Sequence, residues 1–318
     1  VSVPDTGSGG EAPAISFEEF MQGALYDPLS GYYTRHIRTV GRTGDFTTLP
    51  QRDGLLARRI AAWLHASRDG CRHVIEIGAG TGELALGVWK SLGWWRRLRW
   101  QFHIVDVSPP LRQKQKATLR GVPAHWHDTM QSALRAAGGR ALIYSNELPD
   151  AFPCRVFQKK AGQWQEVFVS TSGRREILRE THPPASSVFD IPHPEGQRVE
   201  VHTSYRDWLA GWAPHWQDGR MLTIDYGAEA ATLYRRRLQG SLRGYFMHQR
   251  LYGVDLLAAP GRCDLTCDVN FTDLELWGAD HGWRTARHQT LREFLDLPQN
   301  SPLAEVCEAF RMLEQRTA

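Results

Sequence analysis

The stretch "VIEIGAGTGEL", residues 74–84, decides the fold. A short β-branched run breaks into a glycine turn, and residues 82–92 (GELALGVWKSL) then take up helical spacing. Gly78, Gly80 and Gly82 allow tight turning and let the backbone press against a ligand without Cβ interference. A strand, a glycine turn and a helix in that order open a strand–helix–strand unit.

Working outward, the alternation continues. Residues 101–108 (QFHIVDVS) read as a strand and 109–119 as a helix with proline in its first turn. Residues 122–127 (VPAHWH), 129–137 and 141–146 (ALIYSN) read as strand, helix and strand, and RMLTIDYG (220–227) as another core strand. The pattern predicts an α/β fold, a Rossmann-like, mostly parallel sheet covered on both faces. Ligands of such sheets sit at the carboxyl ends of the strands. Glu76, Asp106, Asp128 and Asn146 fall at or just beyond those ends, and Asp225 closes the later strand.

The flanks are less regular. "SFEE" is a capping-box pattern with Ser16 and Glu19, followed by Phe17, Phe20, Met21 and Ala24 on one helical face. Residues 51–67 predict a second helix. SLRGYFMH (241–248), CDLTCDVNF (263–271) and GWRTARHQT (282–290) predict three strands, antiparallel at one sheet edge, and residues 301–315 a closing helix. The expected organisation is a flexible leader over 1–14 and a helical lid segment over 15–70. A core over 71–153 and 201–290 is interrupted by a cap at 154–200, and a C-terminal helix occupies 291–318.

Bulk properties exclude little and are ordinary for a globular protein. A formal net charge of +3 over 318 residues demands neither nucleic acid nor an anionic membrane. No apolar stretch approaches a bilayer span. The first residues lack the pattern of a signal peptide, and five scattered cysteines suit a reducing compartment. The cytoplasm is expected, with the mitochondrial matrix open. Cys263 and Cys267 lack a second pair, and His125 and His127 lack further ligands, so no metal site is expected. GWWRRLRW (93–100) and YRRRLQGSLR (234–243) are basic and aromatic, which would suit RNA or an acidic protein, but a solvated face is the simpler reading. No nucleic-acid or membrane partner is expected, and a homodimer stays open.

Two ligand classes compete for the glycine turn. A dinucleotide would need G-x-G-x-x-G, whereas the spacing here is G-x-G-x-G. Glu76, two residues before Gly78, would repel a pyrophosphate but suit a ligand carrying an ammonium and a sulfonium. Asp106 is placed for ribose hydroxyls, and Asp128 either for an adenine amino group or as an exposed acid in a turn. S-adenosylmethionine has those features and no phosphate. Ala79 within the turn, Val107 and Ser108 after the acid, and Asn146 complete the expected contacts.

Taken together, the motifs resemble the MidA-like family of class I methyltransferases. That family includes the mitochondrial complex I assembly-factor arginine methyltransferase and bacterial relatives. The resemblance rests on "LYDPLSGYY" (25–33), "GDFTTLP" (44–50), "IEIGAGTGEL" (75–84), "HIVDVSPPLRQKQ" (103–115) and "SNELPDAFP" (145–153). "IDYG" (224–227), "SLRGYFMH" (241–248) and "PGRCDLTCDVNF" (260–271) extend it, so that it spans roughly residues 15–315. It departs at Gln51, where the family has Glu, at Asp53, and at Asp106, where Glu is common. The resemblance implies S-adenosylmethionine-dependent methylation, with S-adenosylhomocysteine as product and protein arginine as the acceptor. It also implies a lid around Gly44, Asp45, Phe46 and Thr47, with Thr47 and Pro50 touching the donor. A small-molecule acceptor and a non-catalytic assembly factor are the alternatives.

An arginine acceptor is charged at any physiological pH, so its site should supply carboxylates that grip the fork. Glu147 and Asp150 are the catalytic candidates. Asn146 touches the donor or orients the acceptor, and His248 is a third catalytic candidate.

Overall fold

The computed structural model describes residues 13–37, 54–67, 70–170, 175–246, 249–258 and 260–318. Strand β1 (Ala14–Ser16) leads into helix α1 (Phe17–Tyr26) through the capping box. The Ser16 hydroxyl accepts the Glu19 amide at 3.1 Å, and the Glu19 carboxylate accepts the Ser16 amide at 2.8 Å. Helix α2 (Leu55–Ala66) buries Leu56, Ile60 and Leu64. The alternation then runs β2 (His73–Ile77), α3 (Glu83–Ser91), the short α4 (Trp94–Arg97), β3 (Gln101–Val105) and α5 (Pro109–Thr118). It continues through β4 (Ala124–His127), α6 (Met130–Ala136) and β5 (Arg140–Asn146).

Four strands interrupt the core: β6 (Arg155–Lys160), β7 (Gln163–Ser170), β8 (Glu176–Glu180) and β9 (Arg198–Val201). They pair antiparallel, and β1 joins β7, giving a five-stranded sheet. The chain returns through α7 (Thr203–Trp212), β10 (Asp218–Ala228) and α8 (Ala230–Leu233). Then come β11 (Arg243–Phe246), β12 (Gln249–Leu251), β13 (Asp264–Thr266), β14 (Val269–Asn270), α9 (Phe271–Asp280), β15 (Arg284–Thr290), α10 (Leu291–Phe294), α11 (Ala304–Glu308) and β16 (Phe310–Arg316).

The main sheet has the order β15-β16-β10-β5-β2-β3-β4, and among its described strands β16 alone runs against the others. Both faces are covered. Leu56, Ile60 and Trp63 of α2 pack with Phe102, Leu222 and Ile224 on one side. Trp212, Trp216, Trp283 and Phe271 pack with Ile75 and Ile143 on the other. Double coverage is why β2 and β5 read as continuous apolar runs rather than as alternation.

Two expectations are corrected. The C-terminal helix expected over 291–318 is two short helices followed by β16. Val306, Phe310 and Leu313 satisfy a helical period, but β16 is wedged between β10 and β15, so its apolar residues serve both faces. The three strands expected at one sheet edge also separate. Only β15 lies there; β11 and β13 form their own sheet with β12, and β14 pairs parallel with the end of β10.

Candidate active site

The glycine turn follows β2, with Gly78, Gly80 and Gly82 all at positive φ. A Cβ on Gly78 would come within 3.0 Å of Leu148, and one on Gly82 within 3.3 Å of the Gln115 backbone. The first glycine therefore lets the loop after β5 lie against the turn, and the third lets α3 start against α5. Glu76 is buried and its carboxylate accepts the Tyr144 hydroxyl at 2.8 Å. Burial pushes its pKa up to about 8.

Asp106, just past β3, is buried as well, and burial raises its pKa. One oxygen accepts the Ser108 amide at 2.8 Å and the other the Gln115 side-chain amide at 2.6 Å. Gln115 also donates to Gly80 O and accepts from the Trp126 indole. It thus locks the acid, the glycine turn and β4 together. Ser108 caps α5 and donates to Tyr33 O at 2.6 Å, which brings the N-terminal segment to the same place. Beside it Val107 is 63 % exposed, an apolar surface at the strand end. Asp128 is 82 % exposed and ion-paired to Arg112.

The loop after β5 carries the second half. Glu147 adopts φ 52, a left-handed conformation uncommon for a non-glycine residue and a mark of local strain. Its carboxylate accepts from Asn146 Nδ2 at 3.0 Å and from the Tyr226 hydroxyl at 2.8 Å. Burial first, then the nearby Asp150 carboxylate, pushes its pKa up to about 7. Asp150 accepts the Thr266 hydroxyl at 2.9 Å on one oxygen, while its Oδ1 is buried without a hydrogen-bond partner, as is Asn146 Oδ1. Beneath the loop, Asp225 accepts the Leu148 and Asp150 amides at 3.2 Å each and the Tyr226 amide at 2.8 Å. Burial holds the Asp225 carboxyl well above its ordinary value.

Two tyrosines join the halves. Tyr26 and Tyr33 stack with centroids 5.5 Å apart. Tyr26 donates to Ala151 O at 2.9 Å and Tyr33 to Asp264 at 2.8 Å. Burial raises the Tyr26 pKa, and the carboxylates of Asp264, Asp150 and Asp106 all add to it. Arg243 is buried over the Tyr226 ring and pairs with Asp268 at 2.6 Å.

The structure thus brings together Glu76, Gly78, Ala79, Gly80, Gly82, Asp106, Val107, Ser108, Asn146, Glu147 and Asp150. Thr47, Pro50 and His248 lie outside the described residues, as do residues 1–12 of the leader and the "GDFTTLP" stretch, while Ala14, the last leader residue, opens β1. His127 is taken up by a ladder of imidazoles, 2.9 Å from His103, which is 3.0 Å from His73. Burial drives the His103 pKa down to about 3, so the ladder's centre is neutral. Cys267 lies 3.5 Å from Cys154 and 3.2 Å from His202. Sequence reasoning missed Gln115, Tyr144, Tyr226, Tyr33 and Arg243. A glutamine on an otherwise polar helix gives no sign of burial.

The site fits a cationic ligand with a ribose. It offers orphaned acceptor oxygens, buried carboxylates and an exposed apolar residue beside the acid, at the carboxyl ends of a mostly parallel sheet. Fold and site together define an S-adenosylmethionine-dependent methyltransferase. Residues 55–289 match the family described as "Putative S-adenosyl-L-methionine-dependent methyltransferase", and the chain belongs to that family. It is 26 % identical to the protein arginine methyltransferase NDUFAF7, mitochondrial, of Danio rerio, over 84 % of this chain and 69 % of that one. The Homo sapiens protein of that name is 27 % identical over 82 % and 64 %. The chain thus spans about two thirds of the length of these relatives. A crystal structure of a Burkholderia thailandensis protein bound to S-adenosyl-homocysteine is similar throughout, with TM-score 0.78 and 26 % identity over 95 % of this chain and 87 % of that one. The relatives' names are mitochondrial, so the cytoplasmic placement expected from sequence finds no support among them.

Proposed function

We propose that this methyltransferase acts on a protein arginine side chain, held by Glu147 and Asp150. The observation that carries the reading is the pair of enclosed carboxylates on the loop after β5, one with a buried oxygen lacking any partner. A guanidinium is a planar cation with five donors, and carboxylates on its edge localise its charge and free the target nitrogen's lone pair. When bound, the donor supplies an electrophilic methyl group on a sulfonium. On the donor side, Asp106 would hold the ribose hydroxyls, Val107 would pack on the adenine, and Glu76 and Asn146 would hold the ammonium end. Methylation of the guanidinium nitrogen releases one proton, and Glu147, with a pKa near 7, is matched to receive it. The relatives named as protein arginine methyltransferases support this acceptor, and their names favour the mitochondrial matrix as the compartment. Residues 13–37 and the inserted sheet wall the acceptor side.

The test uses labelled donor and a protein extract. Label should enter protein and appear as methylarginine after hydrolysis. Glu147→Gln and Asp150→Asn should each lose turnover while calorimetry with S-adenosylhomocysteine stays unchanged. Label in extractable metabolites, or wild-type rates in both variants, would overturn the proposal.

A further inference from the structure

The opposite end of the sheet carries a surface that methyl transfer does not use. Trp94 and Trp95 of α4 are 63 % and 66 % exposed, their rings stacked 3.6 Å apart, and Leu98 is 78 % exposed. Soluble proteins seldom leave a contiguous patch of large apolar groups in water unless something covers it. Arg97 holds the turn in place, donating to Lys90 O at 2.6 Å and lying over the Trp89 ring. Leu92 and Arg99 bracket the α4 turn and also line a cleft of about 400 Å³. Arg58, His65 and Ser91 share that cleft, with Trp100 in its wall.

The described lining of the cleft is one-sided in charge: it includes Arg58, Arg99 and His65 and no Asp or Glu. The segment 93–100 holds only Gly, Trp, Arg and Leu, and so pairs large apolar rings with cations and carries no hydroxyl, amide or carboxylate side chain. Tryptophan beside arginine on a projecting apolar turn is the chemistry of an interfacial anchor, with indoles at headgroup depth and cations meeting lipid phosphate.

We propose that this end docks on an anionic phospholipid bilayer. Trp94, Trp95 and Leu98 enter the headgroup layer, and Arg58 and Arg99 take a lipid phosphate at the cleft. Residues 93–100 then have a role beyond that of a solvated face. Trp100 precedes β3 and Asp106 follows it, so docking leaves the carboxyl ends of the strands turned away from the bilayer. The inference is independent of the acceptor's identity.

The full chain would be sedimented with vesicles of phosphatidylcholine alone, or with about one third phosphatidylglycerol. Binding should require the anionic lipid and weaken with salt. It should fall at least about tenfold in the double variant Trp94→Ser, Trp95→Ser, and in Arg58→Gln, Arg99→Gln, with S-adenosylhomocysteine affinity unchanged in both. The proposal is overturned by undiminished binding of either variant or by equal binding to neutral vesicles. It is overturned too if vesicles do not bind while polyglutamate or RNA does.

Discussion

Replacing Tyr226 with Phe removes one oxygen atom and isolates the part played by Glu147. The ring keeps its packing, with Phe310 centred 4.6 Å away and Arg243 above it. What is lost is the 2.8 Å bond to the Glu147 carboxylate, leaving the 3.0 Å bond from Asn146 Nδ2. A hydrogen bond to a charged group contributes about 1.5–3 kcal/mol. That bond favours the ionised carboxylate, so its loss raises the Glu147 pKa above about 7. At about 1.4 kcal/mol per pKa unit the shift should be about one to two units. If Glu147 works ionised, the wild-type rate rises with pH through about 7, and in the variant this limb moves upward by that shift. The rate at pH about 7 should fall about five- to fiftyfold and recover at higher pH. Initial rates of label transfer into protein across pH 6 to 10, with donor saturating, read the limb directly. A flat wild-type profile, or a variant whose limb stays in place, would refute the assignment of Glu147 as the ionising group.

Stability should respond to pH in a definite direction. Glu76 and Glu147 have folded pKa values raised to about 8 and about 7, so the native state holds protons that the unfolded chain releases near 4.5. Their stabilising effect is complete below that lower value and lost as pH climbs through 7 and 8, so the melting temperature of the ligand-free protein should decline across this window. A melting temperature that rises instead would contradict their burial. Gly78→Ala forces a left-handed alanine, costing about 1–2 kcal/mol, and pushes Leu148. Calorimetry should show weakened S-adenosylhomocysteine binding with the circular dichroism spectrum intact. Arg243→Met leaves buried Asp268 with one arginine fewer and should cost about 3–5 kcal/mol in urea unfolding. A change under about 1 kcal/mol would mean that Arg237 suffices.

The scaffold was legible because a doubly covered parallel sheet writes itself as apolar runs separated by helical periods. The strand-end acids were legible because that is where such runs stop. Gln115 and Tyr226 were not, since what makes them matter is a partner brought in by the fold: Gln115 meets Gly80, 35 residues away, and Tyr226 meets Glu147, 79 away. Asp128 was read from position alone and stands in solvent beside Arg112. The last strand was misread because Val306, Phe310 and Leu313 keep a helical period across the point where α11 ends at Glu308 and β16 begins at Phe310.

The tyrosine pair near the N-terminus has a consequence for how the molecule opens. Tyr26 reaches a partner 125 residues away and Tyr33 one 231 residues away, while the central sheet holds itself together without either. Phe17, Met21 and Leu25 pack with Val156, Val167 and Leu265, in a cluster separate from those on the two faces of the central sheet, so a local opening there would cost activity before fold. Release of residues 13–37 would dismantle the pocket from both sides in one event and leave the sheet standing. Amide exchange in that segment, rather than the melting temperature, would then report how long the enzyme stays competent.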